Sequence, residues 1–185
     1  YHFRQITFKI AAIIFFLLGM IATRGGFGNE VYKNSPYAIT NITGLLSLCS
    51  IFAATLFCAS VVLRDSHYKM DAIIYSTSVK RFPYFMTKLS GLFIAVFLIL
   101  CFTTAGVFIG SFMLPEDELG KTVIYYFIQP LLTFGVPNVF LSCALIFCVG
   151  LLTDNARAVY AAGVLLFVLY WVGSVLGNSP LLATS

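Results

Sequence analysis

The sequence predicts an all-α integral membrane protein, a polytopic bundle of five transmembrane helices with its N-terminus in the cytoplasm. Of its 185 residues, 60% are hydrophobic and only 10% are charged, and the mean hydropathy is +0.97. A soluble domain carries about 25% charged residues, and so short a chain leaves a large fraction of its surface exposed. Lipid is therefore the expected solvent for most of the apolar surface.

Five charge-poor runs divide the chain, and each is long enough to be considered as a span of a hydrocarbon core about 30 Å thick. The first run contains Lys9 near its start, where a lysine can extend its ammonium group to the interface. We treat the chain as one transmembrane domain, residues 1–185. The expected spans are residues 6–23, 39–63, 89–114, 138–153 and 158–176.

The fourth run, residues 122–153, has 32 residues without a charge, which is more than a straight span needs. Pro130 and Pro137 lie in its first half, and each removes a backbone donor. We expect an interfacial segment over residues 115–137 on the outer side, with a short aromatic helix, a break, and then the span. One long kinked helix is the alternative that the sequence leaves open.

The basic residues predict the orientation, because cytoplasmic connections are enriched in Lys and Arg. With the N-terminus inside, eight of the eleven basic residues lie on the cytoplasmic side: Arg4, Lys9, Arg64, Lys69, Lys80, Arg81, Lys88 and Arg157. The outer side has Arg24, Lys33 and Lys121. The final residues, 177–185, are then outside, and their turn-forming sequence GNSP leads us to expect a sixth helix beyond the given sequence.

The middle of each expected span lacks Asp, Glu, Lys, Arg and His. Proton-coupled and sodium-coupled transporters and membrane proteases usually need ionisable groups at depth, and channels need a filter or a charged ring. All five cysteines fall inside apolar runs without a CxxC pair, which is typical of thiols that pack as small hydrophobes. We therefore expect no enzymatic activity, no catalytic residue, no metal site and no cofactor in this chain.

Small residues recur at spacings that permit close helix packing. GxxxG pairs occur at Gly106 and Gly110 and at Gly173 and Gly177, and Gly91 is followed by Ala95. Packing within the bundle is the favoured interpretation, and dimerisation is the alternative.

The most hydrophilic stretch is the cytoplasmic segment of residues 64–88. Met70, Ile73, Ile74 and Thr77 fall at i, i+3, i+4 and i+7, which predicts an amphipathic helix. A basic turn follows, and Pro83 suits the first turn of the next helix. Two interpretations compete: a helix lying on anionic lipid, or a docking element for a cytoplasmic partner protein. Composition alone favours lipid.

Residues 73–81 read IIYSTSVKR and residues 84–91 read YFMTKLSG. With this pattern the segment resembles the permease subunits of ABC-2 type transporters, in which a cytoplasmic helix between the second and third spans precedes a basic turn. Ser78 stands where the family usually has Pro, and Thr87 where it usually has Gly. The sequence NSPY at residues 34–37, with Arg64 and Asp65 after the second span, is most similar to permeases fused to a zinc aminopeptidase-like domain. The resemblance is strongest over residues 34–91.

The resemblance implies that residues 65–77 form a coupling helix in a groove of an ABC ATP-binding subunit, which would hold ATP and Mg. The partners it implies are that ATPase subunit, a second permease half or a second copy of the chain, and membrane lipids, with no nucleic acid. It also implies a bacterial cytoplasmic (inner) membrane location and an export function. A non-transporting scaffold or anchor for an associated peptidase is the alternative. The residues expected to contact the ATPase are Arg64, Asp65, Lys69, Ile73, Ile74, Tyr75, Lys80 and Arg81.

Overall fold

The computed structural model describes residues 6–24, 32, 34–67, 81–115, 120 and 123–177. The regular structure in these residues is entirely helical. The elements are α1 (Ile6–Ala22), α2 (Pro36–His67), α3 (Arg81–Ser111), α4 (Tyr125–Pro130), a π-helical stretch (Leu131–Gly135), α5 (Val136–Thr153) and α6 (Ala156–Gly177).

Helix α2 is the centre of the bundle, and it packs against α3, α4, α5 and α6. It begins three residues before the expected span, because Pro36 occupies the first helical position and the Ser35 hydroxyl accepts a hydrogen bond from Ala38 N–H at 3.2 Å. Small side chains in its middle let neighbouring helices approach. The main core contains, among others, Ala54, Phe57 and Cys58 of α2, Val96 and Ile99 of α3, and Val139 and Ile146 of α5.

Helix α1 lies at one side of the bundle and packs almost wholly on α3. Gly19 of α1 lies against the carbonyl oxygen of Thr103, and Gly106 of α3 lies against the carbonyl oxygen of Phe16. A Cβ atom at either glycine would collide with that backbone, so each Cα hydrogen points at a carbonyl oxygen across the interface, which fits a weak Cα–H···O contact. The two helices run in the same direction.

The chain from Tyr125 to Thr153 is a continuous helix in place of the expected break. The π-helical stretch lies between Pro130 and Pro137, and Val136 N–H bonds to Leu131 O, five residues earlier. Each proline removes a donor, and widening one turn lets the remaining groups pair without ending the helix. The structure therefore corresponds to the alternative of one long interrupted helix, and α4 belongs to it.

A two-residue turn joins α5 to α6. Asp154 has a left-handed conformation with φ of 44°, and its N–H bonds to Gly150 O at 3.0 Å, which caps α5. The side-chain oxygen of Asn155 then accepts a bond from Arg157 N–H at 3.0 Å and caps α6. Helix α6 packs on α2 and α5, with Gly163 placed directly against Thr55.

The helices have the lengths that a membrane requires. Four of those described are long and apolar enough to cross a bilayer, namely Pro36–Val61, Phe82–Ser111, Tyr125–Thr153 and Ala156–Gly173, whereas α1 has 17 residues. Large apolar side chains are exposed on the outside of the bundle, including Ile13 at 60%, Leu165 at 59% and Leu152 at 87%. Water would not tolerate so much exposed apolar surface on so small a chain. The coarse prediction of a multi-pass helical membrane bundle is confirmed.

Candidate functional site

The candidate site is the end of the bundle where α2 finishes and α3 begins. Helix α2 continues through Arg64 and Asp65 to His67, and α3 begins at Arg81. For Arg64, Asp65 and Arg81 the structure describes the backbone alone. The other predicted contact residues lie outside the described residues: Lys69, Ile73, Ile74, Tyr75 and Lys80.

The two helices that carry this segment are the longest in the described chain. Helix α2 has 32 residues and α3 has 31, so at 1.5 Å per residue each is more than 45 Å long, about half as long again as a hydrocarbon core of ~30 Å. They pack against each other. Ile39 and Ile42, near the start of α2, cluster with Val107, near the end of α3. The two helices are therefore antiparallel, and the C-terminus of α2 and the N-terminus of α3 lie together at the other end of the bundle.

The extra length of α3 falls at this end. At its other end α3 is level with α1, since Gly110 lies beside Thr23 and Met20. Helix α1 has 17 residues and α3 has 31, so the first part of α3 extends roughly 20 Å beyond the start of α1. The charged residues of α3, Arg81 and Lys88, lie in this extension.

Lys88 marks the level where α3 leaves the apolar span. Its ammonium nitrogen lies 4.6 Å from the centre of the Tyr84 ring, one helical turn earlier. That distance is within the range of a cation–π contact, and an amphipathic tyrosine beside a lysine is typical of a membrane–water interface. The residues before Lys88, which begin at Arg81, are therefore positioned to lie in the headgroup layer or in water.

The predicted packing glycines differ in their surroundings. Gly106 and Gly110 form the contact with α1 described above, and the pair lies within the bundle. Gly91 and Gly173 have no close neighbour on another helix in the described part of the chain, since no atom of another described helix lies within 4 Å of the point where a Cβ atom would lie. Gly177 is the last residue of α6, and the structure describes its place in the helix alone. Sequence reasoning did not identify Gly19, although it is the partner residue on α1.

A polar contact inside the bundle was also not identified from the sequence. The Asn138 amide of α5 donates to the Ser47 hydroxyl of α2 at 3.1 Å, and that hydroxyl donates to Gly44 O at 2.7 Å. Ser47 is 11 residues into α2, which places the bond about 16 Å along the helix and deep in the span. An asparagine in a charge-free run is the signal that could have indicated it.

A second polar contact closes the opposite end of the bundle. Asn34, which is 2% exposed, donates from its amide to Gly120 O at 2.9 Å and accepts from Gly120 N–H at 2.8 Å. The Asn34 amide group therefore makes with Gly120 the same pair of hydrogen bonds, one donated and one accepted, that a residue of a neighbouring β-strand would make. The residues before α2 are thereby tied to the connection between α3 and α4.

The described residues hold no group of three His, Cys, Asp or Glu side chains that could bind a metal ion. The five cysteines are free thiols. Cys58 and Cys143 are buried in the core, as thiols that pack as hydrophobes should be, but Cys148 is exposed on the lipid-facing side. The described side chains inside the bundle make apolar contacts and hydrogen bonds, and the charged side chains lie near the ends of the helices.

Comparison with protein-family models, with curated proteins and with solved structures gives no match. The chain is therefore described by its own geometry, as a multi-pass helical membrane protein whose two longest described helices are α2 and α3, connected through residues 68–80.

Proposed function

We propose that this chain is the membrane-spanning permease subunit of an ATP-driven exporter of the ABC-2 type, located in a bacterial inner membrane. The extension of α2 and α3 beyond the apolar span supports it most directly. Both long helices contribute side chains to the main core of the bundle, and residues 68–80 connect them. A force applied to that segment would act on the central helix of the bundle.

The location of charge supports the same proposal. In the described spans, the ionisable Asp, Glu, Lys, Arg and His residues lie near helix ends, with Lys9, Arg64, Lys88 and Arg157 as examples. A transporter that uses a proton or sodium gradient usually has such groups at depth. A chain without such groups at depth fits a transporter that receives its free energy from an ATPase partner bound at the cytoplasmic face. The proposal places the N-terminus on that same side.

The first experiment tests the ATPase contact. The substitution Tyr75→Asp places a charge at a residue of the predicted coupling helix that is expected to contact the ATPase, and Tyr32→Asp makes the same chemical change at an exposed residue that the proposal places on the outer face. We expect Tyr75→Asp to abolish co-purification of an ATP-binding subunit and the ATP hydrolysis that the chain stimulates, while Tyr32→Asp leaves both intact. Equal behaviour of the two variants contradicts the proposal. If the native chain co-purifies with an ATP-binding subunit but does not stimulate its ATP hydrolysis, the scaffold alternative is favoured.

The second experiment tests the orientation. Cysteines introduced by Tyr32→Cys and Tyr75→Cys are treated, in sealed cells, with a maleimide that cannot cross the membrane. The proposal expects labelling at residue 32 in intact cells, and at residue 75 only after the cells are opened. The reverse pattern places residues 64–88 outside and excludes an ATPase contact there.

A further inference from the structure

An apolar groove lies on the side of the bundle between α3 and α4. Its volume is about 230 Å³. Helix α3 contributes Cys101, Thr104, Ala105 and Phe108. The facing wall consists of Ile124, Phe127 and Leu131.

The lining of the groove offers almost no polar group. Thr104 carries the only hydroxyl, and that hydroxyl already donates to Leu100 O at 3.0 Å. The floor is built from aromatic rings: Phe127 is 3% exposed, and its ring packs edge to face on Phe108 with centroids 5.1 Å apart. The groove therefore suits a hydrocarbon and offers nothing to a polar ligand.

The direction and depth of the groove match one acyl chain. From Phe108 to Cys101 the groove extends over seven residues of α3, which is about 10 Å along the helix axis. It begins three residues from the end of α3 at Ser111, so it lies within the ~15 Å thickness of the leaflet at that end. Lipid chains in a leaflet extend along the membrane normal, and transmembrane helices such as α3 are tilted from it by only about 20° on average.

The groove opens sideways, so the bilayer is what covers it. Ala105 and Ile124 are exposed at its rim, and both belong to the membrane-facing surface of the bundle. We propose that this groove binds one acyl chain of a membrane phospholipid and retains it longer than the surrounding lipid-facing surface does. A chain seated between two walls makes more carbon contacts than one lying on a convex helix, and those contacts are the source of retention where both phases are apolar.

The test uses the full chain in vesicles of phosphatidylcholine and phosphatidylglycerol. A trace of phosphatidylcholine carries a photoactivatable diazirine in one acyl chain, and adducts are mapped by mass spectrometry after illumination. The reference surface is the exposed face of α1 from Ile10 to Leu18, which is apolar and lies outside the groove. We expect residues 101–108 and 124–131 to carry roughly three times more adduct than that reference, as a handful of extra carbon contacts predicts.

A matched pair of variants makes the test specific. Ala105→Phe fills the groove, whereas Ala161→Phe adds the same ring to an exposed alanine of α6. We expect Ala105→Phe alone to reduce the adducts at the groove to the reference level. Uniform labelling of the native surface, or equal effects of the two variants, overturns the proposal. The labelling pattern of the native chain decides the question even if Ala105→Phe does not fold. The result is independent of the ATPase contact, because no ATPase is present in the vesicles.

Discussion

The α1–α3 contact can be tested by adding one methyl group at Gly106. An alanine Cβ at this position would collide with the carbonyl oxygen of Phe16 and lie 3.1 Å from its carbonyl carbon. Both atoms belong to the backbone of α1, so they cannot rotate away as a flexible side chain would. The helices must separate, and the reciprocal approach at Gly19 is then lost as well.

The magnitude follows from a comparison with Gly91→Ala on the same helix, where the added methyl group meets no other described helix within 4 Å. Each substitution gains about 1 kcal/mol of intrinsic helix propensity, and this gain cancels between the two variants. Overpacking in a close contact costs about 1–3 kcal/mol. We therefore expect Gly106→Ala to be less stable than Gly91→Ala by about 1–3 kcal/mol, with Gly91→Ala at or above the native stability.

The assay uses the buried thiols of the protein itself. Cys58 and Cys143 lie in the core, so a maleimide dye reacts with them only when the bundle opens during heating in detergent. The exposed Cys148 is replaced by serine in every variant to reduce the background. If Gly106→Ala and Gly91→Ala unfold at the same temperature, the close contact between α1 and α3 is wrong.

Two further predictions concern the contacts of α2. A double-mutant cycle of Asn138→Ala and Ser47→Ala should give a coupling of about 0.6 kcal/mol, with an upper limit near 1.7, as for other hydrogen bonds between transmembrane helices; thermal unfolding measures it, and additive effects would show that the bond is not formed. Gly163→Ala should lower the unfolding temperature because its methyl group meets the Thr55 side chain. Thr55→Ser, which removes the nearest methyl group, should recover part of that loss, and a lack of recovery would place the cost elsewhere.

Hydrophobicity was sufficient to predict the helical bundle, because charge-free runs of about 20 residues have few other stable states in lipid. Hydrophobicity was not sufficient to predict the residues at which the helices begin and end. Helix α2 continues through Arg64 and Asp65 to His67, since a charge limits what can enter hydrocarbon but does not end a helix that has reached water. The expected span, residues 39–63, concerns the part of the chain that can lie in hydrocarbon, and it does not define where helix α2 ends.

The two prolines and the contacts between helices show a different limit of prediction from the sequence. Pro130 and Pro137 indicated a break, but a proline removes only one donor, and a π-helical turn between the two preserves continuity. The contacts of Gly19 with Thr103, of Gly106 with Phe16 and of Ser47 with Asn138 depend on which helices become neighbours. That information resides in the packing of the whole bundle. A single sequence shows the residues capable of such contacts and leaves their partners open.

The turn at Asp154 and Asn155 has a mechanical consequence for α6. With two residues between the helices, the ends of α5 and α6 cannot separate. Helix α6 can therefore move relative to α5 only by pivoting about this turn, which acts as a fixed joint. Its other close contact, Gly163 on Thr55, lies about 10 Å from that joint. Any tilt of α2 would press on α6 near the joint, and the far end of α6 would move about three times as far as the contact itself.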